Sequence, residues 1–138
     1  MIRSLVLIAV TFAVVVAPVA YSQQKSSAQH PVPKVISLDK NVTDYMPILK
    51  GPPETSTMRS GLVVLAQQKT VGKHSTDNFE ELVIILEGRA EMRITGGKTY
   101  PLKKGEVMYC PTLTEHDVIN VGSDTLRYIY VVSETKKQ

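Results

Sequence analysis

ELVIILEGRAEMRITGGKTYPLKKG, residues 81–105, decides the fold class. Glu81 to Leu86 is an apolar run of strand length, and Gly88 follows as a turn. Arg89-Ala90-Glu91-Met92-Arg93-Ile94 then alternates polar and apolar, the period of a half-buried strand. Thr95-Gly96-Gly97-Lys98 supplies a hairpin turn, in which glycine reaches positive φ without a steric penalty. Tyr100 and Leu102 belong to the returning strand, and Lys103-Lys104-Gly105-Glu106 turns the chain again. Further along, Val107–Tyr109, His116–Val121 and Leu126–Val132 read as strands, with Gly122-Ser123-Asp124 turning before the last. Before the quoted stretch, Leu62–Ala66 is an apolar strand and Lys50-Gly51-Pro52-Pro53 a turn. Val35-Ile36-Ser37-Leu38 is a candidate first strand. None of these segments has sustained helical periodicity. Short strands at regular spacing with glycine turns predict an all-β barrel or sandwich, and period alone leaves both open.

The 138 residues suit one domain. Hydrophobic residues at 43% and charged residues at 21% are an ordinary globular balance, which excludes overall disorder. With no Trp and 6% aromatics, the core must come mainly from Val, Ile and Leu, and β-branched residues favour strands. At the start, Met1-Ile2-Arg3 is a short positive segment and Leu5 to Val16 runs apolar with only Thr11 interrupting. Pro18 breaks the run, and Ala20-Tyr21-Ser22 places small residues where a signal peptidase reads them. The layout predicts a signal peptide over residues 1–22, cleaved near Ser22, and a periplasmic or secreted mature chain. The apolar run is short for a full membrane span, so no stable membrane insertion is expected after cleavage. Residues 23–54 read as a polar leader, containing His30, followed by the first strand or strands. Residues 55–133 read as the barrel, and residues 134–138 as a polar tail. Loss of Arg3 with the signal lowers the formal net charge from +3 to +2, and its even scatter excludes a nucleic-acid partner. Cys110, the single cysteine, has no internal disulfide partner and reads as a small buried hydrophobe.

Two histidines, His74 and His116, stand at strand edges beside turns. His74 is followed by Asp77, Glu80 and Glu81, and His116 is flanked by Glu115 and Asp117. Imidazole and carboxylate together suit Mn, Fe, Ni, Cu or Zn. The spacing carries more than the residue types. HSTDNFEELVIILEG (His74–Gly88) resembles the first motif of the cupin superfamily, G-x5-H-x-H-x3–4-E-x6-G. GEVMYCPTLTEHDVIN (Gly105–Asn120) resembles the second, G-x5-P-x-G-x2-H-x3-N. His74, Glu81 and Gly88 fall in register in the first motif, and Gly105, Pro111, His116 and Asn120 in the second. The resemblance covers about residues 55–133 and implies a double-stranded β-helix, a jelly-roll-like barrel around one metal pocket. The implied ligands of a divalent ion (Fe, Mn, Ni or Zn) are His74, Glu81 and His116.

Three positions depart from the motifs. Gln68 replaces the opening glycine. Leu113 replaces the glycine of P-x-G, which puts the geometry of the turn before His116 in question. Thr76 replaces the second histidine, and a neutral hydroxyl is a poor transition-metal ligand. Thr76, Glu80 and Tyr109 are candidate pocket or supporting residues, Asp77 is a further candidate to orient a histidine, and Tyr109 or Tyr128 is a candidate proton donor. Two readings stay open. One is a metal-dependent oxidoreductase, isomerase or lyase with open coordination positions. The other is a non-catalytic cupin that has lost a ligand at Thr76 and binds a small molecule or carbohydrate. The resemblance also implies a homodimer paired through edge strands.

Overall fold

The computed structural model describes residues 30–135, so the expected signal over residues 1–22 lies outside the described residues. Nine strands are described: β1 (Tyr45–Lys50), β2 (Met58–Leu65), β3 (His74–Ser75), β4 (Phe79–Glu87), β5 (Arg89–Ile94), β6 (Thr99–Lys103), β7 (Val107–Cys110), β8 (Glu115–Asn120) and β9 (Leu126–Glu134). They form a five-stranded sheet in the order β1-β2-β9-β4-β7 and a four-stranded sheet in the order β3-β8-β5-β6. Every pairing is antiparallel.

Two-residue periodicity selects what each sheet turns inward. On β4 the buried residues are Glu81, Val83 and Ile85, while Glu80 and Leu82 are exposed. Val63, Leu65, Val83, Ile85, Leu126 and Tyr128 of one sheet pack against Ala90, Met92, Leu102 and Val118 of the other. The aliphatic members of this cluster fill one end of the barrel. The polar inward residues, Glu81 and His116, lie toward the other end.

The chain crosses between the sheets at Gly88, the one residue between β4 and β5. Its φ of +84° lies in the left-handed region, and a Cβ there would come within 2.8 Å of the Thr125 carbonyl oxygen. Only glycine satisfies both conditions. Beneath this corner Asn120 is fully buried. Its Nδ2 donates to the carbonyls of Leu65 (2.9 Å) and Asp124 (2.8 Å), and its Oδ1 accepts the Gly122 N–H (2.9 Å).

The first strand is not the one expected. Val35–Leu38 forms no strand, and Val35 is 96% exposed, so those apolar residues have no sheet to join. β1 instead spans Tyr45–Lys50, where Pro47 obscures the sequence pattern. Proline is tolerated there because β1 is an edge strand, and the register shifts between Pro47 and Leu49.

Candidate metal centre

Three strands from two sheets deliver the three ligand candidates. Glu81 points inward from β4, and His116 from β8 in the facing sheet. β3 is only two residues long, but its pairing with β8 sets His74 opposite His116. The two imidazole centroids lie 4.4 Å apart with the rings tilted by 58°. One ligand atom from each of His74, Glu81 and His116 falls within 4.8 Å of the other two.

The backbone orients both rings. Nδ1 of His74 lies 2.9 Å from the Gly72 carbonyl oxygen, and Nδ1 of His116 lies 3.2 Å from that of Thr114. A carbonyl only accepts, so each Nδ1 carries a proton, and Nε2 is the atom of each ring that a metal would take. Nε2 of His116 is buried and has no hydrogen-bond partner among the described residues. Oε2 of Glu81 is 3.2 Å away but not aligned for a hydrogen bond. Burial pulls the His116 pKa down, yet the Glu81 carboxylate, the Thr114 carbonyl and the Asp117 charge outweigh it, so the net shift is upward. The site therefore attracts positive charge to an orphaned nitrogen. A divalent transition ion meets that demand, and two imidazoles with one carboxylate are a donor set that fits it.

A cavity of about 360 Å³ opens beside the triad, walled by His74, Thr76, Glu81, Arg59, Tyr128 and Tyr130. Asp77 also lines it but is not among the converging ligand atoms. Thr76 faces a different task from a ligand. Its hydroxyl donates to the Pro111 carbonyl (2.7 Å) and accepts the Thr114 N–H (2.9 Å), while the Leu113 N–H reaches the Asp77 carbonyl (2.8 Å). These bonds stitch the β3–β4 loop to the β7–β8 loop that presents His116. The questioned turn keeps its glycine-like shape, since Leu113 holds φ +57°; Gln68, at the other replaced glycine between β2 and β3, holds φ +60°.

Glu80 and Tyr109 correct the expected pocket. Both lie on the outer face of the five-stranded sheet, where the Tyr109 hydroxyl donates to Glu80 Oε1 at 2.6 Å. Alternation explains this: a residue adjacent to inward Glu81 must point outward, and Tyr109 pairs with outward Leu82. Of the two candidate tyrosines, Tyr128 is the one at the cavity. Its burial holds the phenol well above the usual range, so it stays protonated. Cys110 is buried, with Sγ 3.2 Å from Met92 Sδ, and burial with the nearby Glu81 charge pushes its thiol to about 11. It packs as a neutral thiol, and His30 lies in a separate cleft beside Pro52 and Pro53. Arg59, Phe79 and Tyr130 were not singled out from the sequence, although extending the alternation of β2 back from Val63 through Gly61 puts Arg59 on the inward face.

Residues 61–132 match the family model for the cupin domain. The chain belongs to the cupin family. It is 32% identical over 73 residues to an uncharacterised protein of Methanocaldococcus jannaschii, covering 53% of this cupin and 56% of that protein. Over 73 residues it is 29% identical to a Streptomyces cyaneus protein named polyketide synthase CurC, covering 53% of this chain and 47% of that one. The cupin spans about half the length of these curated relatives. Among solved structures, an RmlC-like cupin family protein with a double-stranded β-helix fold from M. jannaschii superposes with a TM-score of 0.62. The identity is 19%, with 76% of this chain and 94% of that one covered, a likeness of fold alone.

Proposed function

We propose that this cupin holds one divalent ion, Fe, Mn, Ni or Zn, on His74, Glu81 and His116. It would use that ion to bind or transform a small organic molecule in the adjoining cavity. The observation carrying the proposal is the buried, unpartnered Nε2 of His116, aimed at the same point as the ligand atoms of His74 and Glu81. When bound, such an ion supplies Lewis acidity at coordination positions that the protein leaves open. The residues of the chain do the remaining work. The Gly72 and Thr114 carbonyls hold the two rings in the metal-binding tautomer, and Glu81 balances the ion's charge. Tyr128 keeps its proton at the cavity wall, where it can donate a hydrogen bond to a bound molecule. Oxidoreductase, isomerase and lyase chemistry all fit this set.

The decisive measurement is metal content of the mature chain, residues 23–138, beside His116→Ala. Near one equivalent of ion in the first and at least a hundredfold weaker binding in the second are expected. Sub-stoichiometric metal in the unaltered chain, even after supplying Fe(II), Mn(II), Ni(II) and Zn(II), rules the proposal out. The second reading, a non-catalytic binder of a small molecule or carbohydrate, draws support from Thr76, whose hydroxyl is fully engaged by backbone. The proposal includes export, with mature protein beginning after Ser22. Recovery of the chain from the cell envelope with Met1 intact would contradict that part. A homodimer is the assembly proposed, and a monomer mass by light scattering would exclude it.

A further inference from the structure

Arg59 projects from β2 on the inward side, in register with Val132 of β9, which is itself opposite Glu81 of β4. Arg59, Val132 and Glu81 thus form one cross-strand row. Two strand spacings place the Arg59 backbone ~10 Å from that of Glu81, with the cavity above the row. The guanidinium has no carboxylate within 4 Å among the described residues, whose ion pairs involve other side chains. It is nevertheless held in place. Its carbon lies 4.6 Å from the centroid of the Phe79 ring, which gives the planar group a face to rest on. Its stem lies so close to Gly51 that a Cβ there would come 2.9 Å from Arg59 Cγ. No lysine and no second arginine lines the cavity among the described residues.

We propose that Arg59 reads a carboxylate, and that the ligand of this cavity is a small organic acid. Its acid group pairs with the guanidinium while its other polar end meets the metal triad. A preoriented guanidinium fork matches a carboxylate with two parallel hydrogen bonds, which a lysine cannot reproduce. A single cation suits one negative charge, and Phe79, Tyr130 and Val132 supply an apolar wall for the carbon skeleton. The hydroxyl of Tyr130 is paired with that of Tyr45 at 3.0 Å, so the wall beside Arg59 is fixed as well. The second anchor rests on the metal reading above, whereas the Arg59 contact stands without it.

Calorimetric titration of the mature chain with 4-hydroxybutyrate and with its primary amide, 4-hydroxybutyramide, which has no carboxylate, tests the inference. The titrations are run on Zn(II)-loaded and metal-free protein, and on Arg59→Met and Arg59→Lys. The loaded chain should bind the acid at least tenfold more tightly than the amide. Arg59→Met should abolish that preference with metal content unchanged, and Arg59→Lys should restore only part of it. If the chain takes up no metal, the metal reading fails while Arg59-dependent binding of 4-hydroxybutyrate to the metal-free chain still upholds the carboxylate contact. Equal affinity for the two ligands in the unaltered chain, or a preference that survives in Arg59→Met, overturns the inference.

Discussion

Asn120 and His116 lie four residues apart on the inward face of one strand, and both are fully buried. At the closed end, Asn120 has its amide nitrogen and its oxygen engaged by backbone groups of the end of β2 and of the β8–β9 loop. At the open end, His116 has one ring nitrogen engaged and the other unmet. Burying a polar group without a partner costs about 1–3 kcal/mol, a cost the fold avoids at one end and bears at the other. The satisfied residue is part of the architecture. The unsatisfied one marks where a ligand completes the structure.

The strongest way to break this contrast is at Asn120. Asn120→Ala strands the Leu65 and Asp124 carbonyls and the Gly122 N–H, at about 1 kcal/mol or more each, and leaves a void besides. Urea denaturation should show a loss of about 4 kcal/mol, while the folded fraction still takes up metal at the open end. A loss below about 1 kcal/mol would mean that these hydrogen bonds do not anchor the closed end.

Thr76 tests on which side of the contrast a motif position falls. It stands where the motif has a histidine, yet its hydroxyl is spent on Pro111 and Thr114. Thr76→Val keeps the shape and removes two hydrogen bonds, so about 2 kcal/mol of stability should go. Metal affinity should change by less than threefold, since no ligand is lost. A tenfold loss of affinity at unchanged stability would make Thr76 a participant in the site.

His116→Leu probes the opposite case. Its side chain is among the largest fully buried ones, and in an ordinary core such a change would be costly. Here it removes an unmet nitrogen and one 3.2 Å hydrogen bond and fills the space with an apolar side chain, but it leaves the buried Glu81 carboxylate without the imidazole 3.2 Å away, so metal-free stability should fall by about 1–2 kcal/mol. Thermal unfolding with and without Zn(II) measures both effects. The unaltered chain should be stabilised by the ion, and the variant should not respond to it.

Much of this arrangement was legible in the sequence, and the parts that were not share a cause. β4, β5 and β9 announce themselves by apolar runs or clean alternation, and Gly88 and Gly105 take the positive φ that turn positions require. His74, Glu81 and His116 were found by spacing, which encodes the two hairpins that bring them together. β1 was hidden because Pro47 is read as a break, and its tolerance depends on an edge position visible only after the strands are paired. β3 is too short to have a period at all. Arg59 carried no motif, and its place opposite Val132 and one strand from Glu81 is a matter of register. Glu80 and Tyr109 were avoidable errors, since the period-two rule already sent Glu80 to the outer face once Glu81 was assigned inward.

Leu113 offers the finest adjustment of the open end. It holds φ +57° where the motif has glycine, a conformation that costs a residue with a Cβ about 1–2 kcal/mol. Its side chain is 83% exposed, so almost no packing offsets that strain. The strain is tolerated because the turn is held from both sides: the Leu113 N–H is bound to the Asp77 carbonyl, and Thr76 clamps Pro111 and Thr114. Leu113→Gly relieves the strain but adds unfolded-chain entropy of about 0.5–1 kcal/mol, leaving a net gain of about 0.5 kcal/mol. The expected result is a slightly higher urea midpoint with unchanged metal affinity, because the clamp that positions His116 does not use the leucine side chain. A lower midpoint would show that Leu113 is held by contacts of its side chain after all, and that the open end is stabilised from outside the loop stitching described above.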